Sequence, residues 1–99
     1  MLALPSELTQ TQAINCLKAL LQGLKSVGDR AVVLDASALV QFDSAALAVL
    51  LEFRRETLAL GKSFALQDMP PRLSNLATLY GIDELLQVLP AKPVAPTVG

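Results

Sequence analysis

The side chains in this sequence best suited to chemistry are two acids and a serine that follow one apolar segment. Asp35 ends the run from Ala31 to Leu34, and Asp43 and Ser44 precede an uncharged stretch that extends to Leu51. Two convergent carboxylates could act as general acid and base, and a serine becomes a nucleophile when a base lies beside it. The chain has no histidine, so a Ser-His-Asp triad and histidine-ligated metals are excluded.

Other catalytic and metal-binding patterns are also missing from the sequence. A single cysteine, Cys16, can form neither an internal disulfide nor a thiolate metal site, and it fits a reducing compartment. The sequence contains no glycine-rich phosphate loop with its lysine and no GxGxxG motif. Roles at a strand end and at a helix cap explain Asp35 and Asp43 more simply than catalysis. The sequence therefore predicts a protein that is not an enzyme and needs no cofactor.

The composition indicates one small domain with unusual hydrophobicity. Of the 99 residues, 53% are hydrophobic and 17% are charged, but no apolar run approaches the roughly 18–20 residues that span a bilayer. Leucine-rich helices on a sheet and a permanent partner on an apolar surface both account for this, and the two are compatible. A net charge of −1 without a basic cluster argues against nucleic-acid binding. We also recognise no signal peptide.

An alternation of strands and helices is predicted to position the two acids and the serine. Residues 30–35 predict a central strand buried on both faces, and residues 44–60 predict a helix with Asp43 at its N-cap and Gly61 after its end. The loop between them would lie at the carboxyl edge of the sheet, where partners and ligands usually bind.

The remaining segments complete a single α/β domain. A first helix is predicted from Thr9 or Thr11 to about Ser26, with Gly28 as a left-handed stop, and a third follows Pro71 and ends at Gly81. We expect strands at 1–4 and 63–67, then a helical turn and a short strand within 82–89. The order predicts a mixed β-sheet backed by α-helices over residues 1–89, followed by a proline-rich disordered tail at 90–99.

The second helix has an apolar arc wider than contact with a sheet requires. Its charged residues lie only in the second half, at Glu52, Arg54, Arg55 and Glu56. The first two turns therefore lack a hydrophilic side, and we expect loops of this chain or another protein to cover them.

The segments 32–37 and 42–51 together resemble the STAS domain (sulfate transporter and anti-sigma-factor antagonist). In that family a strand ending in Asp leads to a D-[ST]-x-G-L motif at a helix start, and Ala46 stands here for the glycine. The resemblance extends from Leu2 to about Leu89. Three features are similar to the MlaB-type branch of this family. They are the chain length, the segment from Leu76 to Gly81, and Ser44 at a position where that branch has a threonine.

The resemblance implies a STAS-like fold and a docking function. MlaB-type proteins bind the cytoplasmic ATPase subunit (MlaF-type) of the phospholipid-trafficking ABC transporter of Gram-negative bacteria, which maintains outer-membrane lipid asymmetry, and support its assembly and activity. It thus implies a non-catalytic regulatory subunit at the inner face of the inner membrane, linked to the permease through the ATPase and not itself inserted. The expected partner-binding residues are Gln41, Asp43, Ser44, Ala45, Leu47, Ala48, Leu51 and Tyr80.

The sequence leaves two alternative functions open. An anti-sigma-factor antagonist in a partner-switching pathway would carry its phosphate acceptor two residues after the motif Asp, but that position is Ala45, and Ser44 lies one residue earlier. The second alternative is a STAS module that binds a nucleotide or lipid, and the missing phosphate loop argues against it.

Overall fold

Three parallel strands form the centre of the fold in this computed structural model, which describes residues 2–86. Two further strands form a small second sheet, and three α-helices and one 3₁₀ helix complete the described chain. In chain order the elements are β1 (Leu2–Ala3), β2 (Glu7–Leu8), α1 (Gln10–Lys25), β3 (Ala31–Asp35), β4 (Gln41–Phe42), α2 (Ser44–Ala59), β5 (Ser63–Gln67), α3 (Pro71–Leu79) and the 3₁₀ helix Asp83–Leu85. The predicted α/β class is confirmed.

The central sheet has the strand order β1-β3-β5. Leu34 of β3 lies opposite Leu2 on one side and Leu66 on the other, and both pairings are parallel. The prediction of a mixed sheet is not met within residues 2–86, where all strand pairs are parallel. Parallel neighbours require crossover connections, and α1 and α2 supply them.

The second sheet consists of two-residue strands, β2 and β4, which the sequence analysis did not anticipate. Glu7 lies opposite Gln41 and Leu8 opposite Phe42. The Ser6 carbonyl accepts hydrogen bonds from the backbone N–H groups of Val40 and Gln41, at 2.8 and 3.0 Å. This pairing fixes the loop that leads from β3 into α2.

Only one face of β3 is fully buried, so the prediction of a strand buried on both faces is wrong. Val32 and Leu34 are 2% and 0% exposed, whereas Ala31 is exposed and Val33 half-buried. β5 has the same alternation. The helices cover the buried face, and Phe53 of α2 meets Phe64 of β5 edge-on, with ring centroids 5.9 Å apart.

Glycine ends two of the helices as predicted, and one prediction fails. Gly61 and Gly81 have φ values of +77° and +73°, and each follows its helix in the left-handed region that favours glycine. Gly28 does not adopt a positive φ. α1 ends earlier, at Lys25, and Lys62 Nζ holds the following loop by donating to the carbonyls of Val27 and Asp29, both at 2.8 Å.

The starts of α1 and α3 and the last described turn agree with the predictions from the sequence. Thr9 is the N-cap of α1, and Pro71 occupies the first position of α3. The 3₁₀ helix corresponds to the helical turn expected after Gly81. Residues 87–99 lie outside the described part of the chain. They include the predicted tail at 90–99 and the last residues of the segment 82–89 in which a short strand was predicted. No helix in the described part of the chain is both long and apolar enough to span a membrane.

Candidate functional site

Asp43 connects the starts of two helices at the carboxyl edge of the central sheet. Its Oδ1 accepts a hydrogen bond from the backbone N–H of Ala45 at 2.8 Å, which is the predicted N-cap of α2. Its Oδ2 accepts from the backbone N–H of Gln10, the first residue of α1, at 3.2 Å. A carboxylate is favourable beside helix N-termini because the helix dipole is positive there. Asp43 therefore positions the start of α2 relative to α1.

Asp35 has a local role in the turn after β3. Its Oδ1 accepts a hydrogen bond from the backbone N–H of Ser37 at 2.9 Å. This bond, with a further contribution from the Ser37 side chain, lowers the pKa of Asp35 below its ordinary value. Asp35 thus stabilises the turn in its ionised form, as an Asx turn does.

A groove of about 500 Å³ lies between the start of α2 and one face of α3. We call it the Ser44 groove; it is lined by Phe42, Asp43, Ser44, Arg72, Asn75, Leu76, Leu79 and Tyr80. Leu79 and Tyr80 are 77% and 54% exposed. The structure therefore brings together three residues from the sequence-predicted set, Asp43, Ser44 and Tyr80.

Several polar side chains of the Ser44 groove, unlike that of Asp43, have no hydrogen-bond or ion-pair partner in the described part of the chain. Within residues 2–86, no hydrogen bond engages the side chains of Ser44, Asn75 or Tyr80, and Arg72 makes no ion pair. The guanidinium carbon of Arg72 lies 5.3 Å from the centroid of the Phe42 ring, in a cation–π contact. The groove thus combines exposed apolar surface with hydrogen-bonding groups that remain available.

A second groove, of about 320 Å³, lies on the other side of the α2 start, between α1 and α2. We call it the Ile14 groove; it is lined by Ala13, Ile14, Leu17, Ala45, Ala48, Val49 and Glu52. Ile14 is 69% exposed. Ala45 and Ala48, two of the predicted partner-binding residues, lie in this groove rather than in the Ser44 groove.

The prediction that Leu47 binds a partner requires a correction. Its side chain is 2% exposed and belongs to the core, so it does not present a surface to a partner. Leu51 is half-buried against the same core, and Gln41 is exposed on β4. The first two turns of α2 were expected to be covered by loops of this chain or by another protein. The chain's own core instead covers Leu47 and its buried neighbours Ala46, Val49 and Leu50.

The remaining reactive groups form no further site among the described residues. No three His, Cys, Asp or Glu side chains within residues 2–86 are grouped so as to hold a metal ion. Cys16 is half-buried on α1, and burial raises the pKa of its thiol. A raised pKa leaves less thiolate at neutral pH, which lowers the reactivity of this cysteine.

Sequence reasoning missed Arg72, Asn75 and Ile14. One signal was present for Arg72, which lies in the first turn of α3, where the helix dipole disfavours a cation. Nothing in the local sequence indicated the contact between Arg72 and Phe42, because it joins two elements 30 positions apart.

The parallel sheet and the Asp-capped helix that follows its central strand define a small α/β domain with a groove at the carboxyl edge of the sheet. The family model described as "Mlab, STAS domain" matches residues 1–89. The chain therefore belongs to the STAS domain family, and the match is to its MlaB-type members, which confirms the resemblance seen in the sequence. Among curated proteins, none matches this chain.

Proposed function

We propose that this protein is a non-catalytic STAS subunit that binds the ATPase subunit of a phospholipid-transporting ABC system. It acts at the cytoplasmic face of the inner membrane, reaches the permease through the ATPase, and supports assembly and ATPase activity. Membership of the MlaB-type STAS family supports this role. The structural observation that carries it is the Ser44 hydroxyl, which forms no hydrogen bond within residues 2–86 and lies beside a groove with exposed apolar residues.

The Ser44 groove has the properties of a protein-docking surface. Leu79 and Tyr80 supply exposed apolar area, and exposed apolar patches with polar rims mark interaction sites. Tyrosine is enriched at interfaces because its ring packs while its hydroxyl bonds. Ser44 is small enough to admit the partner's backbone and still offer a hydrogen bond.

Asp43 gives this surface a fixed shape before a partner arrives. Its two hydrogen bonds set the start of α2, and with it the position of Ser44. The pairing of β2 with β4 fixes the preceding loop. A surface ordered in advance loses less conformational entropy on binding, which favours a tight complex.

Regulation by phosphorylation is the competing function. The position two residues after Asp43 is Ala45, which has no hydroxyl, but Ser44 is exposed. Incubation with ATP and a cognate kinase, followed by intact-mass measurement, separates the two functions. An unmodified mass agrees with the docking function, and a phosphate on Ser44 or Ser37 would support an anti-sigma-factor antagonist.

Capture of partners from the native host tests the proposal directly. The tagged full-length chain is purified from detergent-solubilised cells, and the bound proteins are identified by mass spectrometry. We expect the ATPase and permease of a phospholipid ABC transporter in stable ratios. Recovery of a sigma-factor regulator in their place, or of no transporter subunit, would contradict the proposed function.

A further inference from the structure

Arg72 is the one cation among the described residues that line the Ser44 groove. Its side chain is exposed, and it lies over the Phe42 ring at 5.3 Å. In the first turn of α3 the helix dipole opposes a positive charge. The helix dipole therefore does not favour an arginine at this position, and its described interaction is the contact with Phe42. An anion bound in the groove would give its charge a favourable partner.

The groove contains one carboxylate, Asp43, and it does not neutralise Arg72. Both oxygens of Asp43 already accept backbone hydrogen bonds, from Gln10 and Ala45. No carboxylate within residues 2–86 lies within ion-pair distance of Arg72, and the described ion pairs all involve Arg55. Arg72 therefore has no anionic partner within residues 2–86 and is able to pair with an acid of another molecule.

Apolar residues follow Arg72 along the same face of α3. Leu76 lies one turn further on, and Leu79 is seven residues from Arg72, so both share its side of the helix. Seven residues of helix correspond to roughly 10 Å. The groove therefore offers a cation at one end and, about two turns away, an exposed leucine next to Tyr80.

We propose that Arg72 forms an ion pair with a carboxylate of the ATPase subunit, and that the same segment of that subunit places an apolar side chain against Leu79 and Tyr80. The spacing of roughly 10 Å is met by two turns of a helix or three residues of an extended chain. The inference rests on the proposed function and adds the chemistry of the segment that occupies the groove. Arg72 selects an acidic partner segment, and Leu79 with Tyr80 anchors it.

Charge reversal at Arg72 tests the ion pair. Arg30 supplies the matched control, because it is also exposed but precedes β3, at the opposite edge of the sheet. Affinity for the purified cognate ATPase subunit is measured for the full chain and for its Arg72→Glu, Arg72→Gln and Arg30→Glu variants. We expect Arg72→Glu to weaken binding by about tenfold or more, and Arg30→Glu to change it by less than about twofold.

Three further readouts separate an ion pair from a structural effect. Added salt should weaken binding of the wild type but have less effect on Arg72→Gln, because screening acts on the pair. Arg72→Glu loses the contact with Phe42 but places a favourable carboxylate in the first turn of α3, so the melting temperature of this variant should change little. Replacement of the paired acid on the ATPase by lysine should restore binding of Arg72→Glu.

The outcomes distinguish this inference from the proposed function. Wild-type affinity of Arg72→Glu, together with weakened binding of Ser44→Arg, would overturn the ion pair and leave the docking function in place. Wild-type affinity of both variants would overturn both. Failure of every acid replacement on the ATPase to restore Arg72→Glu would also contradict the pairing.

Discussion

Asp43 Oδ2 accepts a hydrogen bond from the backbone N–H of Gln10 at 3.2 Å, although the two residues are 33 positions apart. The other oxygen of Asp43 caps α2 through Ala45. One carboxylate thus fixes the starts of α1 and α2 together. The Ser44 groove borders one side of the α2 start, and the Ile14 groove borders the other. The geometry of both grooves consequently depends on Asp43.

Substitutions at Asp43 should show how much each of its two hydrogen bonds contributes to the stability of the fold. Loss of a helix N-cap typically costs about 1 kcal/mol, so Asp43→Ala should destabilise the fold by roughly 1–2 kcal/mol in urea unfolding. Asp43→Asn keeps one side-chain oxygen for the cap but loses the second acceptor, and should lie between Ala and wild type. Equal stability of Asp43→Asn and the wild type would show that the second bond, to Gln10, contributes nothing.

Leu47 and Ala48 should respond in opposite ways to a charge. Leu47 is buried in the core, whereas Ala48 is exposed in the Ile14 groove. A buried unpaired carboxylate costs several kcal/mol, which is comparable to the whole stability of a small domain. Leu47→Asp should therefore unfold the protein, and Ala48→Asp should retain a cooperative thermal transition. A folded Leu47→Asp variant would contradict the placement of this residue in the core.

The lowered pKa of Asp35 predicts a defined dependence of stability on pH. Its folded-state pKa lies below the value of about 3.9 for an unfolded chain. The ionised form therefore contributes stability above that value, and the contribution is lost as pH falls through the folded-state pKa. Asp35→Asn keeps an oxygen acceptor for Ser37 but does not titrate. Urea unfolding of the wild type and Asp35→Asn is measured at pH 6 and pH 2. The difference between their free energies of unfolding should be smaller at pH 2, and a difference that does not change with pH would contradict this prediction.

The main elements were predictable because their signals are local. The 3.6-residue spacing in α2, the N-cap at Asp43 and the glycine after each of α2 and α3 agree with the structure. β2 and β4 were missed because two residues cannot display a period of two. The end of α1 at Lys25 agrees with the predicted end at about Ser26, but Gly28 does not form the predicted left-handed stop.

The site was predictable only where it follows one segment of sequence. Ser44 and Asp43 were found from the helix start, and Tyr80 was found from the resemblance to the MlaB-type branch. The burial of Leu47 and exposure of Ala48 depend on how α2 rotates against the sheet and α1. A broad uncharged arc leaves that rotation unspecified. The contact of Arg72 with Phe42 needs the folded chain, because β4 and α3 are distant in sequence.

Co-purification of serine-to-arginine variants with the ATPase subunit tests the central claim most directly. Ser44 lines the Ser44 groove, and Ser74 is an exposed serine on α3 that does not line it. Each variant of the full chain is co-expressed with the cognate ATPase, and the recovered ATPase and its activity are quantified alongside the melting temperature of the isolated chain. We predict that Ser44→Arg loses the ATPase and Ser74→Arg retains it, with both variants folded. Equal recovery of the ATPase by both variants would contradict the account.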